Sequence, residues 1–441
     1  MMKEVKKNWA KTTICTPYKI IYPNSEEEII EIVKNSYDKN IPLKVVGAAH
    51  SYNDIYHTIS NGILISLSQL SRVELVDQQD RLVSIEAGVK IPTLIKELNK
   101  FGFSLPSLGT NIFDNFIGAC STGYHGSGIN YGALSTLIQE IEIINGKGEK
   151  LLIKKGNPDF DALGIGLGAF GIITKILIQC ESYFHLEVLE RRVSLNYIEE
   201  NFHDLLNNNE HFKFLWVPHT TQFMIWCGNR TNQPELSLFQ KVRTYLYYGV
   251  LINNFLHEWF LFLASFNRNK IKKVNQRMSH LMIPNNKRSI WASHWAFFLP
   301  HILKQDVVEF AIDIKDTFEV FKKLMNEIEA KEMLVDTPIE VRFVKEDSFW
   351  LGPSYQRNSG YIGTKIHFPY GRIPEYIDYF KMVESLMLTY NGRPHWGKQF
   401  NIPTEYFKSI YPKWDNFWEL VDRYDPKGIF QNAFLKRLRN S

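Results

Sequence analysis

The feature that most constrains this chain is the run Val45-Val46-Gly47-Ala48-Ala49-His50-Ser51-Tyr52-Asn53-Asp54. Leu43, Val45 and Val46 are apolar and mostly β-branched, the composition of a buried strand. They lead into a glycine and two alanines, so the loop that follows has almost no side-chain bulk. Backbone N–H groups in such a loop can close on an anion, as a nest closes on a phosphate. His50 is the bulky, nucleophilic group within it. A second loop of small residues follows at Ile117-Gly118-Ala119-Cys120-Ser121-Thr122-Gly123-Tyr124-His125-Gly126-Ser127-Gly128. Two such loops exceed the needs of one phosphate and imply a long pyrophosphate-bearing cofactor threaded between two layers.

A chain of 441 residues is too long for one ordinary core and implies about two to three domains. Aromatic residues make up 14% of it, which suits a dense core first and a large flat ligand second. The net charge of +4 is too small for a nucleic-acid footprint unless the charge is clustered. Cys15, Cys120, Cys180 and Cys227 lie far apart, with no CxxC pair and no metal-ligand spacing. Met1 to Lys11 is basic and lacks the apolar segment of a secretory signal. The expectation is a cytoplasmic protein without disulfides, in which the Asn229-Arg230-Thr231 sequon carries no meaning.

Along the chain, Ser25 is placed as the N-cap of a helix, with Glu28 completing a capping box and Ile29, Ile30, Ile32 and Val33 on its apolar face. The helix ends near Asp38-Lys39-Asn40, and Pro42 starts the strand leading to His50. Gly62–Leu67 and Leu82–Val89 are two more strands, and Ile91–Leu98 is a short helix with proline in its first turn. Strands and helices in this order indicate an α+β or α/β nucleotide domain. Gly166-Leu167-Gly168-Ala169-Phe170-Gly171 spells GxGxxG, but a β-branched run, Ile172–Ile178, follows it instead of a helix. These glycines are expected to let backbone pass close to a ligand or another strand.

After Ser182 glycine becomes sparse and long aromatic, charged and apolar segments take over. The most apolar, 245–266, is interrupted by Asn253, Asn254, His257 and Glu258, so it is not a clean membrane span. The basic residues Arg268, Lys270, Lys272, Lys273 and Arg277 follow it. Residues 245–277 therefore fit a buried cap helix beside a solvated face, or a surface that lies on an anionic membrane or a partner. The stretch 306–330 is expected to be helical, with Val307, Phe310, Ile314, Phe318 and Phe321 on one face. Pro338-Ile339-Glu340-Val341-Arg342-Phe343 alternates as a strand, which sets Glu340 and Arg342 side by side on one face. Such a pair is either solvated or a clamp for a polyol or carbonyl oxygen. Asn391-Gly392-Arg393-Pro394-His395-Trp396-Gly397-Lys398 is a turn, and Asp425-Pro426-Lys427-Gly428-Ile429-Phe430-Gln431-Asn432 is another near the end.

Taken together, these motifs resemble the aldonolactone oxidoreductases of the vanillyl-alcohol-oxidase flavoprotein superfamily, the group of L-gulonolactone and D-arabinono-1,4-lactone oxidases. The resemblance runs nearly end to end, through VVGAAHSYND, GACSTGYHGSG, PIEVRF with Asp347 and Leu351-Gly352-Pro353 behind it, GRPHWGK and DPKGIFQN. It implies an α+β protein with a two-subdomain FAD-binding domain (1–182), a cap domain with an antiparallel sheet and helices (183–390), and a C-terminal segment (391–441) returning to their junction. It also implies FAD joined covalently to His50, although Ala48-Ala49 replaces the glycines common before that histidine.

The resemblance assigns Gly47, Ala48, Ala49, His50, Ser51 and Asp54 to the cofactor. Gly118, Ala119, Ser121, Thr122, Gly123, His125, Gly126, Ser127, Gly171 and Ile173 join them. It assigns Glu340, Arg342 and Lys398 to catalysis, with Ser121 reaching substrate from the flavin side. His395 is a base or a support for its turn, and no metal is implied. The implied reaction oxidises a lactone secondary alcohol, with hydride passing to flavin N5 and oxygen as acceptor. A small residue within Gly118-Ala119-Cys120 would control oxygen access. A polyol substrate, or a dehydrogenase passing electrons to a quinone or cytochrome, is the alternative.

Overall fold

The computed structural model describes residues 5–300 and 302–440. Met1–Glu4, the head of the basic N-terminal stretch, lie outside the described residues. Three main sheets carry the chain, and the mixed α+β class anticipated above is what is found.

The first sheet is small and parallel, with Ile63–Ile65 between Lys19–Ile21 and Leu43–Val45. Helix Glu26–Lys39 connects its outer strands and buries Ile29 and Val33. Ser25 Oγ accepts the Glu28 N–H at 3.3 Å, as a cap should. The Glu28 carboxylate reaches back to the N–H of Asn24 at 2.8 Å, so the expected capping box closes one residue earlier. Asn40 ends the helix with a left-handed φ of 52°.

The second sheet is antiparallel, in the order Lys150–Lys154, Ile138–Asn145, Gly171–Gln179, Leu82–Glu86 and Val73–Asp77. Gly171 opens a strand directly, so the GxGxxG spelling starts no helix and forms no dinucleotide fold. The φ of Gly171 is +147°, and a Cβ there would lie 2.2 Å from Ile144 O.

The third sheet has eight strands drawn from residues 185–394, all paired antiparallel. Its centre is Ile339–Val344 beside Ser359–His367 and Gln305–Asp313. The expectation of one helix over 306–330 is corrected here: Gln305–Asp313 is a strand, and only Ile314–Ala330 is helical. Val307, Phe310 and Ile314 fit a helical period, but Gln305–Asp313 also alternates, and nine-residue pairing with Ser359–His367 selects the strand. Asp313 then caps the helix through the N–H of Lys315 at 3.1 Å.

Segment 245–266 is helical, π-wound over Tyr245–Leu256 and α-helical over His257–Ala264. One edge, including Ile252, Leu261 and Ala264, packs on helix Ile271–Met282. The other leaves Leu246, Phe255, Trp259, Leu263 and Phe266 exposed, so the helix is not buried throughout. Among the described residues no helix is long and apolar enough to cross a membrane.

The tail returns to the first sheet. Leu43 N–H donates to Ile429 O at 2.8 Å, and Asn432 Nδ2 donates to the carbonyls of Ile55 and His57, each at 2.9 Å. Asp425 holds that turn by accepting from the N–H groups of Ile429 and Phe430. The end of the chain is thereby fastened behind the His50 loop.

Candidate active site

A cavity of about 710 Å³ opens between the two small-residue loops and one face of the eight-stranded sheet. That size lies in the upper part of the usual range for cofactor sites, about 300–1,000 Å³.

The first wall is the loop 47–51. Strand pairing ends where Val46 N–H donates to Ile65 O, and Ala49 adopts a left-handed φ of 54°. None of the successive amides of Gly47, Ala48, Ala49, His50 and Ser51 donates to an acceptor among the described residues. A run of bare amides around a left-handed residue is a nest suited to an anion, and a pyrophosphate fits it. A Cβ at Gly47 would meet Asn115 Oδ1 at 2.6 Å, so any larger residue there requires the Asn115 side chain to move.

His50 stacks on Trp9, with centroids 5.8 Å apart and planes at 16°. Its Nδ1 lies 3.1 Å from Asn111 Nδ2, which also donates to Asp114 Oδ2 at 3.0 Å. Burial, reinforced by Lys398, Lys304 and Lys90, pushes the imidazole pKa down to about 4. The ring is therefore neutral, the form a nucleophile requires. Burial pushes Asp114 up to about 7, against the pull of Lys398.

The second wall is the turn around helix Phe116–Cys120. Gly118, Ala119, Ser121, Thr122 and His125 line the cavity, as do Gly171 and Ile173 from the sheet behind. The Ser121 hydroxyl donates to Ile117 O at 2.9 Å, which leaves its lone pairs for a ligand.

Four residues grouped with the cofactor by motif do not line the cavity. Asp54 instead takes a bidentate pair of bonds from Arg437, at 3.0 and 2.6 Å. Gly123 is a left-handed turn with φ 76°, packed toward Pro353. Gly126 lies so close to Leu108 O that a Cβ would approach it to 2.8 Å. Ser127 bonds Phe212 O and accepts Phe343 N–H, stitching the loop to the large sheet. In the structure these four residues shape the loops behind the lining.

The floor is the large sheet. Register places Glu340, Gly363 and Glu309 in one row across three strands, and His395 N–H donates to Glu309 O at 2.9 Å. Ile339, Val341 and Phe343 point into the core, so the alternation seen in the sequence does turn Glu340 and Arg342 to the cavity. The Glu340 carboxylate binds Lys213 Nζ at 2.7 Å and Arg342 Nη2 at 2.5 Å. Burial would raise its pKa, but these two cations outweigh burial and hold it well below the usual carboxylate range. Glu309 is likewise held low against burial, by His125 and His395 where those rings carry a proton and by the standing charges of Lys398 and Arg342.

His395 Nδ1 accepts the Gly397 N–H at 3.0 Å, so the ring braces its own turn. Burial takes the His395 pKa down to about 3 and that of His125 down to about 4. Both rings are thus neutral beside Glu309. Lys398 Nζ sits 4.8 Å from the Tyr52 ring centroid, and the Tyr52 hydroxyl is bonded to Gln305 at 2.9 Å.

Glu309, Asn111, Asp114, Gln305 and Lys365 are cavity residues outside the motifs, and Tyr52 lines the cavity from within the first motif without having been assigned to the site. The loose alternation of Gln305–Asp313, with Val308, Phe310 and Ile312 on one face and Glu309 on the other, was the available signal for Glu309; Asn111, Asp114, Gln305 and Lys365 stand in no recognisable pattern.

The FAD binding domain family matches residues 17–153, and the D-arabinono-1,4-lactone oxidase family matches residues 176–438. Over 98% of its length the chain is 31% identical to the L-gulonolactone oxidase of Bos taurus, covering 97% of that protein. It is 27% identical to an L-gulono-1,4-lactone dehydrogenase of Mycobacterium tuberculosis, over 99% of both chains. Its fold is similar to that of cholesterol oxidase from Brevibacterium sterolicum, with a TM-score of 0.79 at 15% identity, over 99% of this chain and 97% of that one. The cavity, its bare amides and both matches agree on an FAD-dependent oxidoreductase, and the chain belongs to the D-arabinono-1,4-lactone oxidase family.

Proposed function

We propose that this protein oxidises the secondary alcohol beside the carbonyl of an aldono-1,4-lactone, with FAD attached through His50 and oxygen as acceptor, giving hydrogen peroxide. The observation that carries the reading is the row Glu340–Gly363–Glu309, with Arg342 and Lys398 beside it, facing the loop of bare amides. When bound, FAD supplies the acceptor for hydride from the carbinol carbon.

The chain supplies binding, orientation and charge. Glu340, ionised and fixed by Lys213 and Arg342, accepts hydrogen bonds from ring hydroxyls. Arg342 and Lys398 stabilise negative charge developing on the substrate oxygen as its proton leaves. The buried walls exclude water from that step. Neutral His50, oriented by Asn111 and Asp114, is the attachment point. Gly47–Ser51 hold the pyrophosphate, residues 1–182 form the cofactor domain, and 183–390 cover it. Ring lactones are favoured over open-chain polyols because the relatives bear lactone names.

The exposed apolar edge of 238–266, with Phe239 74% and Phe266 66% exposed, stands near the exposed Lys270, Lys273 and Arg277. That combination supports peripheral contact of a cytoplasmic enzyme with an anionic membrane surface.

The test is lactone-dependent oxygen uptake with stoichiometric peroxide. Reduction of an artificial dye without oxygen uptake would replace oxygen by another acceptor, and neither activity would remove the lactone reading.

A further inference from the structure

Lys365 stands on strand Ser359–His367, two residues from Gly363 and so on the same face of the sheet. It pairs across from Val307, and both line the cavity with Pro338, Gly363 and Glu340. Gly363 has no Cβ, and the Glu309 side chain lies over it: a Cβ there would come within 3.2 Å of Glu309 Oε1. Lys365 is the next side chain along that face of the strand.

The carboxylates of the floor are already engaged. Glu340 serves two cations, Lys213 and Arg342, at ion-pair distance. Glu309 faces His125, His395, Lys398 and Arg342. Among the described residues no carboxylate lies at ion-pair distance from the Lys365 ammonium, and no side chain or carbonyl accepts a hydrogen bond from it. Burial, with Arg342, Lys398 and Lys213 adding to it and Glu340 opposing, pushes its pKa down to about 8. The cation is thus held in a cavity crowded with like charge, which is costly unless a ligand completes it. The cofactor phosphates have other donors, the amides of 47–51 on the opposite wall.

Building on the lactone reading above, we propose that Lys365 anchors an anionic group on the substrate, so that the preferred substrate is an acidic sugar lactone. The hydroxyls of such a molecule bond the carboxylates on either side of Gly363, and its terminal carboxylate or phosphate ester meets the ammonium. A charge-assisted bond of this kind discriminates strongly against the neutral lactone, because the unpaired cation is left without a partner.

The test uses the flavin-loaded enzyme and three probes on one skeleton: a neutral aldono-1,4-lactone, its terminal phosphate ester and its terminal carboxylic acid. Anaerobic flavin reduction is followed against concentration for the wild type, Lys365→Met and Lys365→Arg. Binding is read separately from perturbation of the flavin absorption spectrum. The expected result is a preference of about tenfold or more for one charged probe, equivalent to one good charge-assisted bond. Which charged probe wins identifies the anionic group. That preference collapses in Lys365→Met and persists in Lys365→Arg. A wild type that favours the neutral lactone, or an unchanged ratio in Lys365→Met, overturns the anchor while leaving lactone oxidation intact. Reduction by no probe removes the lactone reading instead. The spectral titration then decides the anchor, which falls if Lys365→Met binds charged probes as the wild type does.

Discussion

Asn53 holds Lys398 in place: its Nδ2 donates to Lys398 O at 2.7 Å and to Trp396 O at 2.8 Å. A side chain two residues beyond the His50–Ser51 pair thus fixes the turn that carries this cavity-lining lysine. Tyr52 N–H adds a bond to Gly397 O at 2.8 Å. Asn53→Ala leaves two buried carbonyls without their donor, at a cost of about 2 kcal/mol. The expected outcome is a lower Tm and a kcat reduced about tenfold or more, with flavin still bound. Differential scanning calorimetry and steady-state turnover check the two parts.

The Glu340 ion cluster is asymmetric, since one carboxylate serves two cations. Arg342→Ala leaves Glu340 paired with Lys213, so the protein folds while lactone turnover falls by about 100-fold or more. Glu340→Gln strands both Lys213 and Arg342 in the cavity wall and lowers stability by about 3 kcal/mol as well. Urea denaturation beside kcat/KM separates the two variants; equal stability loss in both would contradict the cluster as drawn.

Attachment of flavin at His50 makes its own prediction. His50→Ala releases all flavin on acid precipitation. Asn111→Leu removes the donor to His50 Nδ1 and frees Asp114 from Asn111, and it lowers the covalently bound fraction without abolishing binding. In-gel flavin fluorescence after denaturation reports that fraction directly.

Lys44 gives a pH signature. Its ammonium donates to Gly168 O at 3.0 Å, with Leu167 O and Phe430 O each at 3.4 Å, and so joins the glycine turn to the C-terminal segment. Burial, offset in part by Asp425, pushes its pKa down to about 7. Between pH 7 and the ordinary lysine value the unfolded chain binds the additional proton, so this residue makes stability rise with pH. The difference in unfolding free energy between the wild type and Lys44→Met should therefore increase by up to about 1.4 kcal/mol per pH unit from pH 7 to 10. Urea titrations at several pH values check it; a constant difference would mean that Lys44 titrates normally.

Much of this site was legible because its signals are local. The small-residue run after Val46 and the alternation of Ile339–Phe343 need no tertiary information, and both place their residues on the cavity wall. Glu309 was hidden because Val307, Phe310 and Ile314 also satisfy a helical period; pairing with Ser359–His367, a long-range event, decides the strand. Lys365 lies in a strand whose neighbours form no motif, and only the register beside Gly363 reveals its position. Asp54, Gly123, Gly126 and Ser127 are the converse case: the motifs contain them, but they do not line the cavity. A motif records every residue a loop needs, and these four make packing contacts, a turn and inter-sheet bonds.

The measurement that tests the central claim most directly is anaerobic mixing of the purified yellow enzyme with a panel of aldono-lactones and alditols, followed by admission of air. Bleaching of the flavin absorbance by a lactone, with rapid return of colour in air, is the predicted result. Failure of every lactone to bleach a correctly loaded flavin would contradict it, whatever else the protein binds.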